Sequence, residues 1–545
     1  MTGEQHIRRL EVLKQKRAFI EPFWKKAFDA TIPLRGALIG QDMAGDDALA
    51  GAQAAAAEIY DSTLRDSVNI LAAALLSGLT PPNSLWLDFN LETEDQAGKK
   101  WLSEFAKGIW SGIHNANYDV AGLEIITDYV IAMACLYVEE GDLGKGKMFN
   151  FKSWPLHSCF FADSTGKGMV DTLYRPYVLT AEQATEEFTD ARYPLSEAVK
   201  KAMDNNKPDT PFQFLHAIYP NRKDKQIKFK VASEHVEIQT KRLVRKSGYA
   251  EQPFMVLRGM TVPDSVYATG ICENGMPDHK TVNELVKLVL SNADMAIAGM
   301  WGAVDDGVLN PKMVTVGARK IIAMANKESF FSLKSGAQFD VSALVKKDLQ
   351  GQIRRSMKAD QLHPDNEGPD MTAYEIRKRT EMINKQLIPL TGRLQPEFLS
   401  VMVERCAGIL LRAAAATNWQ RFMTSPPPDS VAQQIATISY KSPLARSQKI
   451  DEVHAMDAYE ERLGALAQAG VTGPMDLYDV DSAYREKSEL LGVPQKHIRS
   501  QDDVLKLRKE RAKAMAEAQK QQADQEIKKA TAPQMMKGMV ESGTA

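Results

Sequence analysis

The chain has 545 residues, 44% of them apolar and 25% charged, and its Lys+Arg total of 68 against 70 Asp+Glu leaves a net charge of −2. This composition supports real hydrophobic cores and roughly three or four domain-sized pieces, or one elaborate elongated subunit. It excludes a polycation that grips nucleic acid by overall attraction, so any such contact must come from local patches or geometry.

The opening "MTGEQHIRRLEVLKQKR" is charged and lacks an apolar signal core, which argues against secretion. Residues 4–140 read as mostly helical, interrupted at Pro22 and by a small-residue loop around "IGQDMAGDDALAGAQ". Tyr60, Leu64, Val68, Leu71, Leu75 and Leu79 make one helical stripe, with Asp61 and Arg65 spaced to pair on its surface. Gly78 and Pro81–Pro82 stop that helix. Its apolar part, "NILAAALLSGL" at 69–79, falls far short of the ~20 residues that span a bilayer.

Near residue 146 the texture changes to short aromatic and β-branched runs such as "KMFNFKSW", "FQFLHAIYP" and "PFMVLRGM". A mainly β module over 146–260 is expected, interrupted by a helix that opens at Thr180 with Gln183 as its capping-box partner. "DSTGKG" at 163–168 looks like part of a phosphate loop, but Phe161 and Gly168 stand where a glycine and a Ser/Thr are required. A hairpin turn between "CFFAD" and "MVDTLYR" explains it instead.

Helices return at Pro277, with Val282, Leu285, Val286, Val289, Ala293, Ala296 and Ile297 at helical spacing. A helix over 275–300 would be about 39 Å long, at ~1.5 Å per residue. The stretch "DDGVLNPKMVTVGARKIIAMANKESFFSL" predicts two or three short strands. Asp340 is placed to cap a second helix with the stripe Val341, Val345, Leu349, Ile353 and Met357, and Lys347, Arg354 and Lys358 on its opposite face. The acidic loop in "HPDNEGPDMTAYEIRKR" ends at a capping box of Thr372 and Glu375 with a staple of Met371 and Ile376. Pro389, Gly392 and Pro396 predict kinks in the helical row from Ile376 to Met402. "TSPPPDS" reads as a linker or sharp turn, and residues 448–530 as helical, fraying into a disordered end.

Catalytic chemistry is thin. No HExxH, CxxC or GxSxG occurs, and the nine histidines lack metal-ligand spacing. The pairs Asp305–Asp306 and Glu139–Glu140 read as solvated charges rather than a magnesium site. Cys135, Cys159, Cys272 and Cys406 are far apart in sequence, as reduced thiols are. The expectation is a non-enzyme with no cofactor, no metal and no catalytic residues. Its competitors are a metal-dependent nucleic-acid enzyme with dispersed carboxylates and a membrane-peripheral assembly protein.

Three stretches in order, "YDSTLRDSVNILAAALLSGLTPPNSLWLDF", "DSTGKGMVDTLYRPYVLTAEQ" and "MTAYEIRKR" with "LTGRLQPEFLSVMVERC", resemble the portal, or head-to-tail connector, of short-tailed double-stranded DNA phages. The likeness covers nearly the whole chain. It implies an α+β, portal-type elongated subunit in which a mainly helical wing contains a β module. On that pattern 1–145 is the helical part of the wing and 146–274 its β-rich module. Stem helices lie at 275–300 and 340–358 around a small α/β clip at 301–339, followed by a tunnel loop at 359–371. A kinked long helix with a return to the wing fills 372–447, and a helical crown and tail fill 448–545.

The resemblance further implies a homo-oligomeric ring, typically a dodecamer, at the portal vertex of the virion, after a period in host cytoplasm. Double-stranded viral DNA would pass through it without sequence specificity. Terminase, scaffolding protein, major capsid protein, tail adaptor protein and, as optional additions, internal core proteins are the implied partners, and membrane is not. Lys347, Arg354 and Lys358 would face the DNA channel. Asp360, Asp365, Glu367, Asp370 and Thr372 would build the tunnel loop. Lys312, Arg319, Lys320 and Lys327 would meet terminase or the tail adaptor, and "FFSL" at 330–333 would be clip core between subunits.

Overall fold

The computed structural model describes residues 1–40, 46–90, 96–142, 146–222, 229–298, 300–304, 330–333, 339–362, 382, 385–416, 426–432, 437–470, 473–491, 493, 499 and 503–521. The fold is helix-rich α+β. It divides into two compact units, the larger built from 1–88, 104–426 and 438–448, and the smaller from 89–103, 427–437 and 449–545.

The larger unit opens with helices α1 (Gly3–Arg17) and α2 (Glu21–Thr31), separated where Pro22 enters the first turn of α2. A proline lacks the N–H that a helix interior needs, so it starts the second helix instead. After the four-residue α3 (Pro33–Gly36) comes α4 (Asp46–Ala57). Its first two turns lie in the segment expected to be a small-residue loop; alanine has the best helix propensity available, and the alanines of α4 outweigh its single Gly51. In α5 (Thr63–Leu79) the stripe Leu64, Val68, Leu71, Leu75 and Leu79 is buried as its spacing requires. Strand β1 (Leu87–Asn90) and α6 (Gln96–His114) follow, each partly assigned to the smaller unit, and then α7 (Tyr118–Ile131).

The sheets begin earlier than expected. Strand β1 and strand β2 (Met133–Glu140) both lie in the stretch read as mostly helical, and in β2 Met133 to Val138 are all buried. A short continuous apolar run carries no periodicity, so it cannot announce whether it is strand or helix. It forms the centre of a three-stranded antiparallel sheet between β3 (Phe149–Trp154) and β9 (Phe254–Arg258). Against the corner from α7 into β2, Gly270 must be a glycine, since a Cβ there would lie 2.2 Å from the carbonyl carbon of Ile131.

A second sheet is an antiparallel meander of β4 (Phe160–Ala162), β5 (Thr172–Thr180), β6 (Pro211–Pro220), β7 (Val231–Glu237) and β8 (Arg242–Tyr249). Alternation along β6 sends Phe212 and Phe214 to one face and Leu215 and Ala217 to the other. The first pair packs with α8 (Ala181–Glu187) and α9 (Glu197–Asp204), the second with Leu10 and Leu13 of α1. The Thr180–Gln183 capping box is formed at α8 in both directions. The sequence reading places one helix inside the β module; α9 is a second. The loop "DSTGKG" is the hairpin turn between β4 and β5, and Asp163 accepts hydrogen bonds from the N–H groups of Thr165, Gly166 and Gly168. The short pair β10 (Met260–Thr261) and β11 (Ala268–Thr269) closes the module.

Beyond it run α10 (Met276–Ala298), strands β12 (Met300–Ala303) and β13 (Phe330–Leu333) paired antiparallel, α11 (Phe339–Ser356) and α12 (Ala359–Leu362). Asp340 lies one residue inside α11 rather than capping it, a shift of the size common at helix ends. Around Pro396 the chain forms a π-helical turn, Gln395–Leu399, before α13 (Ser400–Ala416). The proline cannot donate, and the wider turn accommodates it, with the Ser400 N–H reaching back to the Gln395 carbonyl.

The smaller unit is dominated by helical segments, including Val480–Leu490 and 503–521, where Lys487 bonds Asp457 at 2.5 Å and Glu460 at 2.9 Å. Among the described residues no helix is long and apolar enough to cross a membrane.

Candidate functional site

The expected channel cations lie on α11 and its C-terminal end. Spacing of seven residues puts Lys347 and Arg354 on one helix face, and both are exposed. Lys358 follows the helix in the left-handed region, at φ 58°, with its N–H donating to the Arg355 carbonyl. That arrangement ends α11 as a glycine would, although lysine carries the steric cost of a Cβ. Lys358 is exposed, and Arg355 adds a fourth exposed cation beside it. None of Lys347, Arg354 and Lys358 forms an ion pair among the described residues.

What fixes this row is the packing of α11 on α10 and α5. Val282 and Ile353 are fully buried, and Met357 is too, so the apolar stripes meet as expected near this end of the pair. Farther along, Val345 of the α11 stripe is 43% exposed, and Leu288, Leu290 and Leu344, which lie outside the two stripes, are each more than half exposed.

A polar clamp holds the buried end. The Asn283 carbonyl oxygen on α10 accepts from the N–H groups of Tyr60 at 2.7 Å and Asp61 at 3.1 Å, while its amide donates to the Glu58 carbonyl at 2.8 Å. From α11, the Gln350 amide donates to Asp61 Oδ2 at 2.7 Å. Asp61 also accepts from the Thr63 N–H at 3.0 Å, which starts α5. Burial opposes the charge on Asp61, yet bonds from Thr63 and Gln350 outweigh it and hold its carboxyl below the usual range. Asp61 is therefore not the surface partner of Arg65 that its spacing suggests: it is 6% exposed and lies before the helix. Its partners are 222 and 289 residues away, and no local spacing announces them.

Of the expected tunnel-loop residues, Asp360 is on α12 and half-buried. Asp365, Glu367, Asp370 and Thr372 lie outside the described residues, as do the clip residues Lys312, Arg319, Lys320 and Lys327. In "FFSL", Phe331 is 45% exposed on β13.

Among the described residues no group of three or more His, Cys, Asp or Glu could hold a metal ion. Glu139 pairs with Lys152 at 2.7 Å, and Glu140 with Arg412 at 3.4 Å, so both are engaged in ion pairs. The four cysteines are buried free thiols.

Comparison with known proteins gives the arrangement a family. The chain is 24% identical to the portal protein of Salmonella phage epsilon15, over 95% of this chain and 92% of that protein. It is 23% identical to a probable portal protein of Bordetella phage BPP-1, over 93% of this chain and 90% of that one. A solved chain from the neck of an empty GTA particle aligns at 11% identity, covering 80% of this chain and 94% of its own, with a TM-score of 0.32. From residue 4 to residue 498 the sequence matches the bacteriophage head to tail connecting proteins, and the chain belongs to that family.

Proposed function

We propose that the chain is a phage portal protein. Its copies form a closed ring, a dodecamer, at one vertex of the capsid, and double-stranded DNA is packaged and later ejected through the axis. In this reading α10 and α11 are the stem, the β12–β13 segment belongs to the clip, and the helical end of the chain is the crown. Terminase docks on the clip during packaging, and a tail adaptor replaces it. Scaffolding and major capsid proteins contact the wing during assembly. The chain itself performs no catalysis.

The observation that carries the reading is the set of exposed cations Lys347 and Arg354 on α11 and Lys358 just past its end, none of them in an ion pair among the described residues, in a member of the head to tail connecting family. A ring repeats each of them as a belt. Attraction to phosphate is independent of base sequence and weakens with salt, as a conduit for any genome requires. The uncovered Leu288, Leu290, Leu344 and Val345 on the same helix pair support burial against a neighbouring copy.

Native mass spectrometry with negative-stain imaging tests the assembly. A closed ring with an axial hole is expected, near the dodecamer mass, with scaffold added if the isolated chain stays monomeric. A discrete dimer or tetramer without a hole, across salt and concentration, refutes it. For the belt, the triple variant K347Q/R354Q/K358Q should assemble normally but show altered packaging or DNA retention, and its DNA affinity should depend less steeply on salt. Unchanged packaging, retention and salt slope would remove the channel role from these residues.

A further inference from the structure

An open cleft of about 1320 Å³ lies where the two sheets meet, walled by β2 and β3 on one side and β5 to β8 on the other. Its lining is aromatic. Tyr137 stacks on Trp154 with ring centroids 3.9 Å apart, and His216 stacks on His235 at 4.0 Å. Tyr177 bonds the His235 Nδ1 through its hydroxyl at 2.7 Å.

Most charges in this cleft are already matched. Lys152 pairs with Glu139 at 2.7 Å and Arg245 with Glu187 at 3.9 Å. Arg405 pairs with Glu251 at 3.0 Å, and Glu140 pairs with Arg412 at 3.4 Å. Burial, reinforced by Arg245 and Arg175, pushes His235 down to about 3. Burial and then His235 hold His216 well below its ordinary range, so both imidazoles are neutral at pH 7.

Arg175 is the exception. Its guanidinium sits 4.7 Å from the Trp154 ring centroid and 5.5 Å from that of Tyr177. Its Nε is buried without a hydrogen-bond partner. No acidic residue pairs with it among the described residues. A half-buried arginine held between two rings, with one donor unmet, is a costly arrangement unless an acceptor arrives.

We propose that this cleft receives a peptide segment of a second polypeptide that presents an aspartate or glutamate beside an aromatic residue, with Arg175 binding the carboxylate. Three observations select this occupant. The unmatched positive charge of Arg175 is neutralised by one monoanion, whereas a dianionic phosphate would leave excess negative charge beside Glu139 and Glu187. The planar guanidinium matches a carboxylate in fork geometry. The volume exceeds the roughly 300–1,000 Å³ of small-molecule sites, and stacked rings line it, which suits a stretch of peptide carrying an aromatic side chain.

Isothermal titration of the full chain with N-acetyl-Phe-Glu-amide and with its neutral counterpart N-acetyl-Phe-Gln-amide tests the proposal. The glutamate peptide should bind at least about tenfold more tightly, the worth of a hydrogen bond to a charged group. R175Q should erase that difference, and R175K, which keeps the charge without the fork, should retain part of it. Equal binding of the two peptides to the wild-type chain, or no binding of either, overturns the proposal. So does a folded R175Q that keeps the full preference, or inorganic phosphate that competes more strongly than the glutamate peptide. Should R175Q fail to fold by circular dichroism, the wild-type comparison of the two peptides and the R175K result decide.

Discussion

The five-stranded sheet with α1 and the α10–α11 pair are both regular, amphipathic structures, yet they leave different amounts unfinished. Where the sheet meets α1, polar groups are closed off inside the chain. His6 bridges Tyr174 at 2.8 Å and Glu234 at 2.6 Å, and Tyr219 donates to the same Glu234 at 2.7 Å. Arg17, 3% exposed, donates to the carbonyls of Leu156, His157 and Cys159 and lies 3.7 Å from the Phe160 ring centroid. The helix pair, by contrast, exposes leucines, and Lys347, Arg354 and, just past α11, Lys358 form no ion pair among the described residues. The first region is stabilised from within. The second keeps apolar and charged side chains at its surface.

Mutations should expose that difference. The largest effect belongs to Arg17→Ala, which strips three carbonyls of their donor and should cost about 3–5 kcal/mol in urea unfolding followed by circular dichroism. A loss under about 1 kcal/mol would mean that the sheet is less self-contained than its bonds indicate.

Acid should separate the regions next. His235 is held down to about 3, so the fold favours its neutral form. Its contribution is whole above the ordinary histidine value near 6.5 and is lost as pH falls from there toward 3. Glu234 is opposed by burial but held to about 2 by bonds from His6 and Tyr219, so its contribution is present above its ordinary 4.5 and is lost between 4.5 and 2. A tenfold difference in proton affinity between folded and unfolded chain is worth about 1.4 kcal/mol at most, so a loss of a few kcal/mol is expected from the sheet on going from pH 7 to pH 4. Thermal melts of wild type and His235→Phe across that range should show a flatter pH dependence for the variant.

On the helix pair, Leu288→Ser with Leu344→Ser should change the unfolding free energy of the isolated chain by no more than about 0.5 kcal/mol, because both side chains are already wet. The same double variant should weaken ring formation in native mass spectrometry, and rings of unchanged stability would show that these leucines meet no neighbour. The smallest effect sharpens the local picture: Lys358→Gly should stabilise the chain by about 1 kcal/mol by relieving the left-handed backbone.

The contrast also marks what a sequence can disclose. Thr180 with Gln183, and the stripes on α5, α10 and α11, are legible because their signals are local: a three-residue reach or a repeat near 3.6. Pro396 likewise announces an irregular turn, though not that it is a π-turn. Strand β2 is hidden because burial on both faces erases alternation. Helix α4 is hidden because small residues resemble a loop until alanine propensity is weighed. At the candidate site Lys347 and Arg354 can be placed on one face from spacing alone, whereas Lys358, expected on the same face, lies past the end of α11 in a left-handed conformation that spacing does not announce. Asp61, Asn283 and Gln350 cannot be found that way, since their meaning lies in a three-dimensional meeting of segments hundreds of residues apart. The same holds for Arg175, whose lack of an acidic partner among the described residues is visible only once the two sheets are built.

That meeting has a mechanical consequence. Both long helices are fastened to the same short piece of chain, α10 through Asn283 to Glu58, Tyr60 and Asp61, and α11 through Gln350 to Asp61. A lever with one fulcrum behaves this way: a push on its far end, where the leucines are bare, becomes torque at the pin rather than sliding of one rod along the other.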